Sequence, residues 1–127
     1  MTNKYGAHQV TLASGKKYAS KKEYRRGQQL RLLQQAGKIT DLQEQVKFVL
    51  IPAQYQEIPR VSKKTGKPIK PYKQLLEREL AYVADYVYTD VATGERIVED
   101  CKGFRTEGYI LKRKAMLWIH GVRIKET

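Results

Sequence analysis

At 127 residues and 41% hydrophobic, the chain has room for one core but not two, and disorder of its bulk is excluded. Lys and Arg outnumber Asp and Glu by 25 to 13, a net charge of +12 that solubility does not require and self-repulsion penalises, so a polyanionic partner is expected, nucleic acid first. No run approaches the ~20 apolar residues of a membrane span, Cys101 stands alone without a disulfide partner, and Met1–Gln9 has no apolar stretch, so the expected compartment is a reducing cytoplasm with no membrane partner.

Residues 1–18 read as a polar arm with an edge hairpin around Ser14-Gly15. Ser20-Lys21-Lys22-Glu23 matches a capping box, with Ser at the N-cap and Glu at N3. It predicts a helix to about Ala36, stopped by Gly37, with Glu23, Gly27, Leu30 and Leu33 on one face. Gln45–Ile51 predicts the first strand, with Val46, Phe48 and Leu50 on one face and Pro52 at its end. Residues 53–74 form an insertion. From Arg60 to Lys73 it carries Arg60, Lys63, Lys64, Lys67, Lys70 and Lys73 and no acid, and Ser62–Lys67 reads as an exposed turn. A strand centred on Ala81–Tyr88 follows, then a turn at Val91–Gly94 and a return strand Arg96–Lys102 broken by Gly103. A second helix runs from near Thr106 to about Ile119, with Leu111, Ala115 and Trp118 as its apolar stripe and Gly121 at its end. Val122 and Ile124 alternate with Arg123 and Lys125 as a last strand. The expected domain spans 1–127.

The chemistry gathers on the central hairpin. If Asp90 pairs with Glu95 around the loop Val91–Gly94, Val87 faces Val98 and Asp85 faces Asp100, with Lys102 one pleat further along. A three-residue loop instead puts the two aspartates on opposite faces, and the sequence leaves both registers open. Adjacent carboxylates repel each other, a divalent cation resolves the repulsion, and Mg²⁺ favours such hard oxygen ligands together with phosphate oxygens. A neighbouring lysine offsets charge on the phosphate or holds the attacking water. A solvated hairpin face with an ordinary Asp–Lys pair explains the same spacing. Glu23 is likewise either a helix cap or a member of the acidic cluster. Glu99 and Cys101 alternate to the other face, toward an ion pair or solvent and toward core packing respectively. Tyr82, Tyr86 and Tyr88 share one face, where packing under a helix competes with base stacking. His8 and His120 lack a second ligand at metal spacing, so zinc is not expected.

Asp85 followed by Asp100-Cys101-Lys102 on consecutive strands, within helix–strand–strand–strand–helix–strand, resembles the PD-(D/E)XK nuclease superfamily. Gly15-x-x-Tyr18-x-Ser20-Lys21-Lys22-Glu23-Tyr24-Arg25-Arg26, Leu42-x-x-Gln45-x-x-Phe48, Tyr82-Val83-Ala84-Asp85-Tyr86-Val87-Tyr88 and Val98-Glu99-Asp100-Cys101-Lys102-Gly103 are similar, more closely, to a family of small phage and prophage proteins of unknown function. That family has relatives among Holliday-junction resolvases. The superfamily's proline before the first aspartate is Ala84 here. The resemblance implies an α/β, restriction-endonuclease-like core: a mixed central sheet flanked by helices. It implies Asp85 as metal-bridging carboxylate, Asp100 as second ligand, the Cys101 backbone carbonyl as a further metal contact, Lys102 as catalytic lysine and Glu23 as the fourth acidic member. Gln45 would be a peripheral polar contact. The implied cofactor is Mg²⁺, with Mn²⁺ able to substitute. The implied activity is an endonuclease on DNA, with branched junctions as substrate, a homodimer supplying two cuts, and a bacterial host cytoplasm as location. Lys21, Lys22, Arg25 and Arg26 on the first helix, Lys63, Lys64 and Lys67 in the insertion, and Lys112 and Lys114 on the second helix are the expected DNA contacts. The competing readings are a nuclease for flaps, ends or a specific duplex, and a non-catalytic DNA-binding module of the same fold.

Overall fold

A computed structural model describes residues 9–102 and 104–127; His8, the rest of the arm before Gln9, and the strand-breaking Gly103 lie outside the described residues. In chain order the elements are strands β1 (Val10–Thr11) and β2 (Lys17–Tyr18), helix α1 (Lys21–Gln35), and strands β3 (Ile39–Ile51), β4 (Gln54–Val61), β5 (Pro68–Glu77), β6 (Leu80–Asp90) and β7 (Arg96–Asp100). Helix α2 (Glu107–His120) and strand β8 (Lys125–Glu126) complete the chain. The chain forms two compact units, Met1–Phe48 with Tyr82–Thr127, and Val49–Ala81. The architecture is mixed α/β. A four-stranded sheet runs in the order β3-β6-β7-β8, with β6 antiparallel to β7 and β7 parallel to β8.

In the first unit the local signals work as physical chemistry dictates. β1 and β2 close around Gly15, which sits at φ +88, a left-handed conformation that glycine adopts without a Cβ penalty. Ser20 caps α1, its Oγ accepting the Glu23 N–H at 3.1 Å, a contact that contributes about 1 kcal/mol to a helix start. The β6–β7 hairpin closes with the Asp90 N–H donating to the Glu95 carbonyl at 2.9 Å. Its register pairs Val87 with Val98 and Tyr86 with Glu99. The four-residue loop therefore holds and the three-residue alternative does not.

α1 covers the Tyr86 face of the sheet. Leu30, Ile39, Tyr86 and Tyr88 form a buried cluster, with Leu42, Ile97 and Cys101 packed against it. Gly27 is the point of closest approach. A Cβ there would overlap the Tyr86 Oη and lie 3.1 Å from its Cζ, so only glycine lets this hydroxyl reach the Glu23 carbonyl, to which it donates at 2.7 Å. Glu99, expected in an ion pair or in solvent, is fully buried on the same face. Arg26 donates to both its oxygens, from Nε at 2.8 Å and Nη2 at 2.9 Å, and the Tyr88 hydroxyl donates a third bond at 2.8 Å. A buried charge needs this complete set of partners.

Four expectations are corrected. β3 begins at Ile39 rather than Gln45, because Leu42, Glu44, Val46 and Phe48 carry the inward alternation further back. On α2 the buried residues are Tyr109 and Met116, while Leu111 and Trp118 are exposed, Trp118 at 90%. Apolar residues surround this helix, so periodicity does not select its face, and the expected stripe lies roughly 145° from the buried one. Leu33 is partly exposed at the far end of the α1 face. The last strand is only Lys125–Glu126, since Val122 and Ile124 precede the short parallel pairing with β7.

The second unit is an antiparallel ribbon of β4 and β5, in register from Gln54↔Glu77 to Val61↔Pro68 with irregularities at Gln54/Tyr55 and Ile58/Arg60. Its turn is closed by the Ser62 N–H on the Lys67 carbonyl and the Gly66 N–H on the Ser62 carbonyl, each at 2.8 Å, with Gly66 at φ +68. The basic insertion is thus ordered as a hairpin. Nearly every ribbon residue is exposed, including Tyr55, Val61, Tyr72 and Leu76. Among the described residues no helix is long and apolar enough to cross a membrane.

Candidate active site

The β6–β7 ladder ends at Tyr86↔Glu99. One residue beyond, the strands part, and the Asp85 side chain fills the opening: its Oδ2 accepts the Cys101 N–H at 2.8 Å. Glu23 approaches from α1, near enough for its charge to act on Asp85. The Glu23 side chain does not complete the reciprocal half of the capping box on Ser20. Its Oε2 accepts the Ala19 N–H at 3.2 Å and its Oε1 accepts from Gln45 Nε2 at 2.8 Å. Gln45 makes that bond from φ +53, a left-handed backbone unusual for a side-chain-bearing residue, and such irregularities in strands re-aim side chains.

The charge of Asp100 acts on both Asp85 and Glu23. Asp100 is 2% exposed, and its Oδ2 accepts from the Tyr82 hydroxyl at 2.5 Å. Its Oδ1 is buried without a hydrogen-bond partner, and the Lys102 ammonium stands 3.3 Å away as an ion pair. Strand alternation predicts that Tyr82 shares a face with Tyr86 and Tyr88. Instead its hydroxyl is on the Asp100 side and its ring lies 6.4 Å from that of Tyr109 on α2. Regular alternation is broken where β6 leaves its β7 partner.

The electrostatics follow from three carboxyl groups in one poorly solvated place. Burial, then the charges of Asp100 and Glu23, push Asp85 up to about 7. Glu23 is also raised, chiefly by burial, with the Ala19 N–H acting in the opposite direction. Burial and the bond to Asp100 raise Tyr82, so its hydroxyl stays a donor.

A magnesium-type ion can be tested against these donors. Among the described residues no group of three or more His, Cys, Asp or Glu side chains is gathered closely enough to hold an ion as it stands. Mg²⁺ needs less than such a cage, because it keeps several waters and binds through one or two carboxylates. Asp100 Oδ1, which accepts no hydrogen bond and is met only by the Lys102 ammonium, is the atom that a hard cation would engage, and the repulsion between Asp85 and Asp100 is what it would relieve. The oxygen donors fit.

The other candidates fall in different places. Lys22 reaches the site, its Nζ donating to the Lys102 carbonyl at 3.2 Å, and with Arg25, Arg26, Gln29 and Thr127 it lines a basic groove of about 340 Å³. Lys21 and Arg25 are exposed, whereas Arg26 is engaged by Glu99. Lys114 is exposed and lines a second groove with Arg113 and Arg123, and Lys112 is half-buried on the same helix. Lys63, Lys64 and Lys67 are exposed at the ribbon turn, in the other unit. Cys101 packs against the α1-side core, and burial pushes its thiol up to about 11. Sequence reasoning missed Tyr109, Glu126 and the hydroxyl of Tyr82. The tyrosines carry no spacing signal, because a buried Tyr serves packing and hydrogen bonding alike.

No curated protein and no solved structure matches the chain. Residues 2–120 match a family described as protein of unknown function (DUF1064), and the chain belongs to that family.

Proposed function

We propose that this chain is a metal-dependent endodeoxyribonuclease with a restriction-endonuclease-like core, hydrolysing phosphodiester bonds in branched DNA as a homodimer in a bacterial cytoplasm. One observation carries the reading. Where β6 and β7 part, Asp85 feels the charges of both Glu23 and Asp100, and Lys102 stands 3.3 Å from an Asp100 oxygen that accepts no hydrogen bond. Folding gains nothing from crowding like charges there, and burying a carboxylate oxygen with an ion pair but no hydrogen bond is costly. Both costs are expected at a site kept for chemistry.

Asp85, Asp100 and the Cys101 carbonyl would hold Mg²⁺ or Mn²⁺, with Glu23 beside them. The bound ion makes a water more acidic and draws charge from a phosphoryl oxygen. Glu23, whose carboxyl is pushed up chiefly by burial, is suited to take a proton from the attacking water. Lys102 can donate to the scissile phosphate or to the attacking water. Lys22 and Arg25, at the groove that meets the Lys102 backbone, can carry neighbouring phosphates.

The test is incubation with labelled four-way junction, flap and linear duplex, with Mg²⁺ and with chelator. Metal-dependent cleavage that is fastest on the junction is expected. Equal cutting of all three would leave a general nuclease. The basic groove lined by Lys22, Arg25 and Arg26 serves a second reading equally well, a non-catalytic DNA-binding module. Binding without cutting in any metal would establish it.

A further inference from the structure

Lys102 is held from two directions. Its Nζ lies 3.3 Å from Asp100 Oδ1 and 4.4 Å from the centroid of the Tyr109 ring. A lysine is a flexible stem ending in a point charge, so one carboxylate fixes its distance but not its direction. An aromatic face attracts an ammonium through its quadrupole and supplies the second anchor.

The ring is itself fixed at three points. The Tyr109 N–H donates to the N-cap Thr106 Oγ1 at 3.1 Å, which places it in the first turn of α2. Its hydroxyl donates to Glu126 Oε2 at 2.9 Å. Glu126 is the β8 residue paired with Asp100, and Arg105 holds it at 2.8 Å. The Tyr82 ring, whose hydroxyl holds the other Asp100 oxygen, lies 6.4 Å from the Tyr109 ring at 51°. The path from Tyr109 through Glu126 and β8 thus returns to the aspartate that Lys102 faces.

We propose that Tyr109 is the positioning residue for Lys102, its ring face holding the ammonium beside Asp100 so that the lysine's remaining open side meets the substrate. What Lys102 does there rests on the nuclease reading; where it is held does not.

Two readouts test this. In protein labelled at lysine Cε, the Lys102 ε-methylene protons are shifted upfield by the ring current. The shift persists in Tyr109→Phe, which keeps the ring and removes only the Glu126 bond, and disappears in Tyr109→Leu. In single-turnover cleavage of a four-way junction with Mg²⁺, Tyr109→Phe stays within about twofold of wild type. Tyr109→Leu slows about tenfold, with junction affinity unchanged. A merely structural Tyr109 would not separate the two variants this way at equal thermal stability. If Tyr109→Leu melts early, Tyr109→Met replaces it as the ring-free variant. An unshifted Lys102 in wild type, or a ring-free variant cutting at the Tyr109→Phe rate, overturns the proposal. If wild type cuts nothing while the shift is present and ring-dependent, the nuclease reading falls and the hold of Tyr109 on Lys102 stands.

Discussion

Asp85 takes the place of a backbone partner for Cys101: its Oδ2 accepts the N–H that β7 presents just after the ladder with β6 has stopped. A carboxylate is thereby drawn into the sheet opening, where its charge is opposed by burial and by the charges of Asp100 and Glu23.

This arrangement predicts an unusual pH dependence for the metal-free protein. Asp85 titrates at about 7 in the folded chain against an ordinary value of 3.8. Between those values the folded state holds a proton that the unfolded state has released, so this group's contribution falls as pH rises through the window and is flat above it. Thermal melts in chelator across pH 4 to 8 should show this decline in wild type and a flatter profile in Asp85→Asn. Mg²⁺ should raise the melting temperature most above pH 7, where the proton no longer competes. Identical pH slopes for the two proteins would rule out Asp85 as the raised group.

Removing single members of the cluster should separate binding from cutting. Asp85→Asn and Asp100→Asn each delete an ion ligand and a repulsive charge, so cleavage is abolished while DNA affinity is kept or increased. Lys102→Ala also blocks cleavage but leaves ion binding intact. Asp100→Asn cutting junctions at the wild-type rate would refute the catalytic assignment.

Arg26 and Arg25 are neighbours with opposite expected phenotypes. Arg26→Ala strands the fully buried Glu99 without its bidentate partner and should cost about 3–5 kcal/mol of stability. Arg25→Ala with Lys22→Ala should leave stability nearly unchanged and weaken DNA binding in a salt-dependent way. Urea unfolding and filter binding on the two proteins check this. An Arg26→Ala protein of wild-type stability would contradict the buried-pair account.

Gly27→Ala should be destabilising by about 1–3 kcal/mol, because the added methyl meets a tyrosine hydroxyl that is hydrogen-bonded in place. The cost should shrink in a Tyr86→Phe background, which removes the obstructing oxygen. A double-mutant cycle measures the difference, and strict additivity would mean the clash is relieved elsewhere.

Much of this was legible in the sequence, for reasons that are local. Ser20, Gly37, Thr106 and Gly121 punctuate the two helices, and Gly94 fixes a loop length that sets the pairing of Val87 with Val98, while the expected pairing of Asp85 with Asp100 falls just past the last paired residues, Tyr86 and Glu99. What escaped depends on contacts between distant segments. Glu99 reads as an acid for solvent or an ion pair, and the ion pair is there, but its full burial under Arg26 and Tyr88 is not legible. Tyr82 changes sides only because β6 and β7 part, an event with no composition signal. Trp118 reads as core because it is large and apolar, yet the sheet is already covered by Tyr109 and Met116 of the same helix.

The insertion's six cations should act through phosphates. Lys63, Lys64 and Lys67 replaced by Ala should flatten the salt dependence of binding by about one log unit per log unit of salt for each phosphate no longer neutralised. Equal weakening on junction and duplex would deny the ribbon a part in recognising branches.

The ribbon also bears on how the chain finds its fold. A two-stranded hairpin with little core is weak but closes in microseconds, because its partners are close in sequence. Once β4 and β5 zip from the Ser62–Lys67 turn to the Gln54↔Glu77 pair, the chain leaving β3 and the chain entering β6 are already brought together. The entropy of closing the long excursion between these two neighbouring strands is then met by a local event, not by a search. A segment that adds almost nothing to the buried core would thus hasten the pairing of β3 with β6, and shortening it to a few flexible residues would change the folding rate in a different proportion from the stability.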